Sequence, residues 1–294
     1  MNYQVFGPGH VLLATTLVAA NSVLARVAYD AGANPLAFVT VRAAAAVVIL
    51  WVWLALSAEP WKLSLRDRNR AVMIGAIIAL NHYALNVAIQ VMPVALAVLI
   101  FYLYPLFTTI VDVATKRETF TTQTAAAVAI TCIGIAMALP DQPSRADLIG
   151  LGWGLVAAIS WTVVLFLIGQ WFPTGDSRPR TLYMIITAFA VLLVFAVVTR
   201  GAEWPDTVGG AAAVMGGSLA YGLGLMGIFI TMAALGPGRA AFYMNFEPFA
   251  ALVLASLLPG PALSKTQLVG ALIVIAALFI FRLPAAKILL GRRR

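Results

Sequence analysis

The chain has 294 residues, 62% of them hydrophobic and only 10% charged, with a mean hydropathy of +0.97 and a formal net charge of +8. A soluble chain carries about a quarter charged residues, so too little polar surface remains here to coat a globule, and a soluble enzyme or carrier is excluded. The basic residues sit in short stretches between apolar segments, which is how membrane orientation is encoded, so the charge gives no face for nucleic acid.

A bilayer core of about 30 Å takes roughly 20 apolar residues per helix. On that measure the sequence predicts an all-α integral membrane protein with ten spanning segments: 8–29, 35–58, 71–91, 93–114, 121–139, 148–172, 180–199, 209–235, 238–258 and 265–282. No Lys or Arg precedes the first segment, so it lacks the charged start of a cleaved signal peptide and reads as a retained helix. It carries Asn21 and Ser22. The second holds Arg42. The third is unusually polar for a span, with Asn81, His82, Tyr83 and Asn86. Segment 4 carries a partly polar stripe at helical spacing, Ala97, Phe101, Tyr104, Thr108 and Asp112, with Tyr102 beside it. The sixth holds Ser160 and Trp161. Tyr221 lies among the glycines of the eighth, which suit close helix packing. The ninth contains Tyr243, Glu247 and Pro248. Segments 5 and 10 are almost wholly apolar and read as outer or packing helices. Met92-Pro93 and Gly236-Pro237-Gly238 mark tight turns, so segments 3–4 and 8–9 read as helical hairpins.

Orientation follows from Lys and Arg. Lys62, Arg66, Arg68, Arg70, Lys116, Arg117, Arg178, Arg180, Arg239 and the tail residues Arg282, Lys287 and Arg292 to Arg294 fall on one side of the membrane. Arg26, Arg145, Arg200 and Lys265 fall on the other. The bias places both termini, including the basic tail 283–294, in the cytoplasm.

The chain also repeats itself. LVAANS at 17–22 resembles LVAAIS at 155–160; Pro35 and Pro179 open segments 2 and 7; Tyr104-Pro105 matches Glu247-Pro248; and Thr122-Gln123 matches Thr266-Gln267. The four matches occur in order at nearly one offset, close to half the chain. The unit, about 8–139 and again about 148–282, contains five segments. An odd number means that the second copy crosses the membrane inverted, the arrangement behind alternating access in many secondary transporters.

Tyr104-Pro105-Leu106-Phe107, Glu247-Pro248-Phe249-Ala250-Ala251-Leu252 and the run TQLVGALIVIAALFI at 266–280 resemble the drug/metabolite transporter superfamily in its ten-helix EamA-type branch. The likeness spans nearly the whole chain. It implies a ten-helix fold and export of small metabolites across a bacterial inner membrane. The superfamily includes YddG-like amino-acid exporters, so amino acids, aromatic ones among them, are the favoured substrates.

The residues themselves point to chemistry at matched depth in the two halves. Pro248 cannot donate to the carbonyl of Met244, nor Pro105 to that of Phe101. Irregular backbone within a membrane is tolerated where it lines a cavity or is buried in protein, and the freed carbonyls could accept from a substrate ammonium. Either proline could equally be a kink satisfied by a neighbouring hydroxyl. Glu247 has Tyr104 in its equivalent place, and an intramembrane acid is a candidate functional group by default. It could exchange a proton, or simply fix packing. Tyr243 shares its face, and His82 and Arg42 are candidate partners. The candidate path is therefore Asn21, Asn81, His82, Tyr83, Asn86, Phe101, Tyr104, Trp161, Tyr243 and Glu247, with Pro105 and Pro248 as helix breaks. A membrane enzyme using His82 and Glu247 as an acid–base pair, or a transport-silent sensor or assembly subunit, are the alternatives. Two histidines and the single Cys132 make no metal cluster, and no GxxxxGK[ST] loop marks an ATP motor. The expected partners are a small solute and lipid, with no cofactor and no catalytic residue.

Overall fold

The computed structural model describes residues 7–56, 62–116, 119, 121–140, 142–235, 243–258 and 264–282. Among these residues the regular structure is all helix: α1 Pro8–Asp30, α2 Pro35–Leu56, α3 Leu65–Val91, α4 Val94–Phe101, α5 Tyr104–Ala114, α6 Thr122–Ala138, α7 Arg145–Trp171, α8 Ser177–Thr199, α9 Val208–Leu235, α10 Glu247–Ala255 and α11 Lys265–Arg282. Seven spans are long and apolar enough to cross a membrane: α1, α2, α3, α4 with α5, α7, α8 and α9. The apolar helices α6 and α11 are shorter by that measure. The turn at Gly236-Pro237-Gly238, Arg117, Arg239 and the tail 283–294 lie outside the described residues.

Local chemistry sets the ends. α1 opens with Pro8 in its first turn and closes at Ala31-Gly32, where Gly32 takes φ 95°, a conformation open to glycine without steric cost. Ser64 caps α3 by accepting from the Asp67 N–H. Ser144 and Asp147 form a reciprocal capping box on α7, which satisfies two orphan donors. Both helices therefore start earlier than the predicted 71 and 148. Pro93 lacks an N–H and separates α3 from α4.

The packing has a two-fold logic. If residues 8–138 are laid on 145–282, the most extensive contacts between helices find counterparts. α1 packs on α9 as α7 packs on α3. α2 meets α9 as α8 meets α3, and α1 meets α10 as α7 meets α4 and α5. The pairs α2–α8 and α6–α11 are each formed by equivalent helices. Small residues permit the close approaches. A side chain on Gly75 of α3 would meet Thr187 Cβ at 2.7 Å and the Met184 carbonyl of α8. One on Gly270 of α11 would meet the Ala138 N at 2.5 Å and the Gly134 carbonyl at 2.6 Å, both on α6. Lipid tails are as apolar as leucine, so close packing of this kind holds membrane helices together.

Candidate functional site

The chain breaks its helical path twice, at residues that match across the two halves. Between α4 and α5 it turns at Tyr102-Leu103, and before α10 at Asn245-Phe246. Leu103 (φ −71°, ψ −14°) and Phe246 (φ −73°, ψ −16°) have nearly the same backbone conformation. Leu103 N–H donates to Ile100 O, and Phe246 N–H to Tyr243 O, both at 3.0 Å. The next bonds also correspond, Phe107 N–H to Leu103 O and Ala250 N–H to Phe246 O. Each break is thus one tightened turn. Pro105 and Pro248 follow in the first turn of the next helix, a position that tolerates proline.

The two breaks are joined by one side chain. The hydroxyl of Tyr102 lies 2.8 Å from Glu247 Oε2 and 3.3 Å from Met244 O. That carbonyl is the one Pro248 leaves without its helical donor. Glu247 sits in the first turn of α10, where the positive end of the helix dipole favours a carboxylate. Its place in the first half is taken by buried Tyr104. Around Tyr104 the rings of Phe101 and Tyr102 lie 5.3 and 5.5 Å away, and Trp161 of α7 lies 6.4 Å from Phe101. Thr162 Oγ1 reaches the Tyr104 carbonyl at 3.3 Å, so α7 is tied to the first break.

A second polar cluster draws on α1, α2, α3 and α9. Arg42 is 2% exposed and stacks over the Tyr221 ring, 4.6 Å from guanidinium carbon to centroid. Tyr221 Oη and His82 Nε2 are 3.0 Å apart. Tyr29 donates to Asn86 Oδ1 at 2.7 Å, and Asn86 Nδ2 donates to the His82 carbonyl at 2.8 Å. Among the described residues, Arg42 Nε and Nη2 and His82 Nδ1 are buried with no hydrogen-bond partner. A buried guanidinium without a counter-ion loses several kcal/mol of solvation. Stacking on Tyr221 returns up to about 2 kcal/mol of that. Tyr221 also interacts electrostatically with Glu247, so the two clusters are neighbours.

The sequence model of the EamA-like transporter family matches residues 6–139 and 148–283. The chain belongs to the EamA-like transporter family. This is the family that Tyr104-Pro105 and Glu247-Pro248 resemble. Membership together with the seven membrane-length helices makes it an integral membrane protein in a family of small-molecule transporters. A solved crystal structure is similar over 97% of this chain and 99% of the other, with a TM-score of 0.64 and 16% sequence identity, which shows a shared fold. No curated protein matches the sequence.

In this EamA-like chain the candidate residues fall into separate groups. Phe101, Tyr104 and Trp161 come together at the first break, and Glu247 meets Tyr102 at the second. Tyr243 is partly buried one turn before Glu247. His82 and Asn86 join the Arg42 cluster. Asn81 instead ties α3 to α7, donating to the Ala157 carbonyl at 2.7 Å and lying 3.4 Å from Ser160 Oγ. Asn21, with its amide oriented to satisfy both ends, donates to the Gly217 carbonyl at 3.3 Å and ties α1 to α9. Tyr83 points elsewhere, edge-on to Trp153 at 5.8 Å and Phe195 at 5.9 Å. Neither His82 nor Arg42 is within ion-pair or hydrogen-bond contact of Glu247 among the described residues; the partner is Tyr102. Nothing in the sequence singles out Tyr29, whose role follows only from its reach across to Asn86.

Proposed function

We propose that this protein is a secondary transporter that exports small organic metabolites, amino acids first among them, across the bacterial inner membrane by alternating access. The observation that carries this reading is the pair of matched helix breaks with an acid at one of them. Two equivalent tightened turns, joined through Tyr102, are suited to exchanging roles as one half rocks against the other. The path runs between the breaks, past Phe101, Tyr104, Trp161, Tyr243 and Glu247, with the His82 cluster beside it. Ten crossings, as inverted repeats over about 8–139 and 148–282, with cytoplasmic termini, complete the reading; the odd repeat and the basic bias support it. An acid–base enzyme built on His82 and Glu247 is less well supported, because the two side chains hydrogen-bond to different partners, Tyr221 and Tyr102.

The test is reconstitution into liposomes loaded with a mixture of amino acids, followed by analysis of what leaves unaided. Selective, protein-dependent release of amino acids is the expected result. Retention of every amino acid would end the substrate assignment. Chemical conversion of any of them would favour the enzyme.

A further inference from the structure

We propose that Arg42 is a carboxylate-recognition residue: its buried guanidinium is the docking group for the carboxylate of an organic acid, in the first place the α-carboxylate of the transported amino acid. This rests on the transporter reading and names the substrate chemistry within it. Arg42 is 2% exposed, and its Nε and Nη2 have no partner among the described residues. None of the described ion pairs includes it: Arg26 pairs with Asp30, Arg70 with Asp67 and Arg178 with Asp176. The Tyr221 ring covers one face of the guanidinium. The open donors are therefore in the guanidinium plane, where a carboxylate binds through two parallel N–H···O bonds. His82 Nδ1, in the same cluster, is also buried and unpartnered.

Among the described residues, the cluster does not supply the anion. The side chains gathered at the cluster are Tyr29, His82, Asn86 and Tyr221. None is a carboxylate. Glu247, the acid within electrostatic reach of Tyr221, is held by Tyr102. A cationic group and an acidic group thus both lie within reach of Tyr221, a pairing that suits a zwitterion: carboxylate toward Arg42, ammonium toward Glu247. Arg42 has no equivalent in the second half, where Ile186 takes the matching place. The cation therefore serves one-sided recognition rather than the two-fold architecture.

The full-length protein, purified in detergent, is tested by thermal unfolding with 3-phenylpropionate, the isosteric 3-phenylpropionamide and 2-phenylethylamine. The expected result is a raised midpoint with the carboxylate and none with the amide. Arg42→Gln should lose the carboxylate response, and without ligand should unfold at no lower temperature than wild type, because it removes an unpaired buried charge. Arg42→Lys keeps the charge without the planar fork and should bind the carboxylate roughly tenfold more weakly; it carries the test if Arg42→Gln does not purify folded. Glu247→Gln should keep the carboxylate response and lose the amine response. Equal stabilisation by the amide, or a wild-type carboxylate response in either Arg42 variant, would overturn the proposal. So would a large drop in the ligand-free midpoint of Arg42→Gln that Glu247→Gln reverses, since that marks an internal ion pair. Transport is scored separately in liposomes. Carboxylate binding without amino-acid movement would sink the transport reading and leave the site standing. Amino-acid movement that is insensitive to Arg42→Lys would do the reverse.

Discussion

The Tyr102 hydroxyl stands 2.8 Å from Glu247 Oε2 while also lying 3.3 Å from the backbone carbonyl of Met244. A phenol has one proton to donate. It can serve the acid or the orphan carbonyl, and the two acceptors belong to the same break. Tyr102 itself is part of the other break. One side chain therefore couples the two irregular points of the structure.

Tyr102→Phe keeps the ring and its contacts with Phe101 and Tyr104 but deprives both acceptors of a donor. Both acceptors are partly buried, and leaving one unsatisfied costs at most about 1–3 kcal/mol. The unfolding midpoint in detergent should fall accordingly. The loss should be smaller in a Glu247→Gln background, since the amide can pair with the Met244 carbonyl in place of the phenol. A double-mutant cycle reads this coupling; identical losses in both backgrounds would show that the Tyr102–Glu247 contact carries no energy of its own.

Gly270 is expected to be among the least replaceable residues of the α6–α11 contact. An alanine methyl there would stand 2.5 Å from Ala138 N and 2.6 Å from Gly134 O, and backbone cannot give way as a flexible side chain can. Overpacking of this kind costs about 1–3 kcal/mol. Gly152→Ala on α7 is the control, because nothing lies within 4 Å of its added methyl; it should be neutral or gain up to about 1 kcal/mol from helix propensity. Thermal unfolding of the two variants side by side decides it.

The basic bias of the loops leads to a topology prediction. A reporter active only in the cytoplasm, fused after Arg294, should be active, and its periplasmic counterpart silent. Fusions within 200–207 should behave in the opposite way. A periplasmic C-terminus would overturn the orientation, and the inverted pairing of halves would have to be rebuilt.

Much of the fold was legible because membrane helices advertise themselves by length and apolarity, and because their ends are punctuated. Pro35, Met92-Pro93 and Thr122 mark ends that the structure places within a residue or two. α3 and α7 start earlier than expected for a simple reason. Their first turns, LRDRNR and RAD, are charged and fail an apolar window, yet the serine caps begin the helix before the apolar stretch does. At the site, Glu247 and Pro248 stood out because both break the rule for an apolar helix. The pairing of Tyr102 with Glu247, and of Arg42 with Tyr221, was not legible. Contacts between segments far apart in sequence depend on how helices cross, and the tyrosine partners, Tyr102 and Tyr221, are unremarkable in their own segments.

Glu247 and Pro248 make separable contributions, and one experiment can divide them. Glu247 lies at the start of α10 with Tyr102 as its donor, and a substrate ammonium is a stronger partner for a carboxylate than a phenol is. Protonating the carboxyl removes that attraction. Substrate and proton therefore compete for one group. Transport of amine-bearing solutes should weaken as the medium is acidified through the titration of Glu247, and recover as it is made alkaline. Glu247→Gln keeps the shape and most of the hydrogen bonding, so the protein should fold; its transport should be slower for amines and nearly flat with pH. Pro248→Ala restores an N–H that can reach the Met244 carbonyl, freeing Tyr102 to serve Glu247 alone. It should slow transport by stiffening the break while leaving the shape of the pH profile close to wild type. The measurement is the initial rate of amino-acid release from liposomes across a pH series for wild type and both variants. A Glu247→Gln protein with wild-type rates and an unchanged profile would reduce Glu247 to a packing residue held by Tyr102.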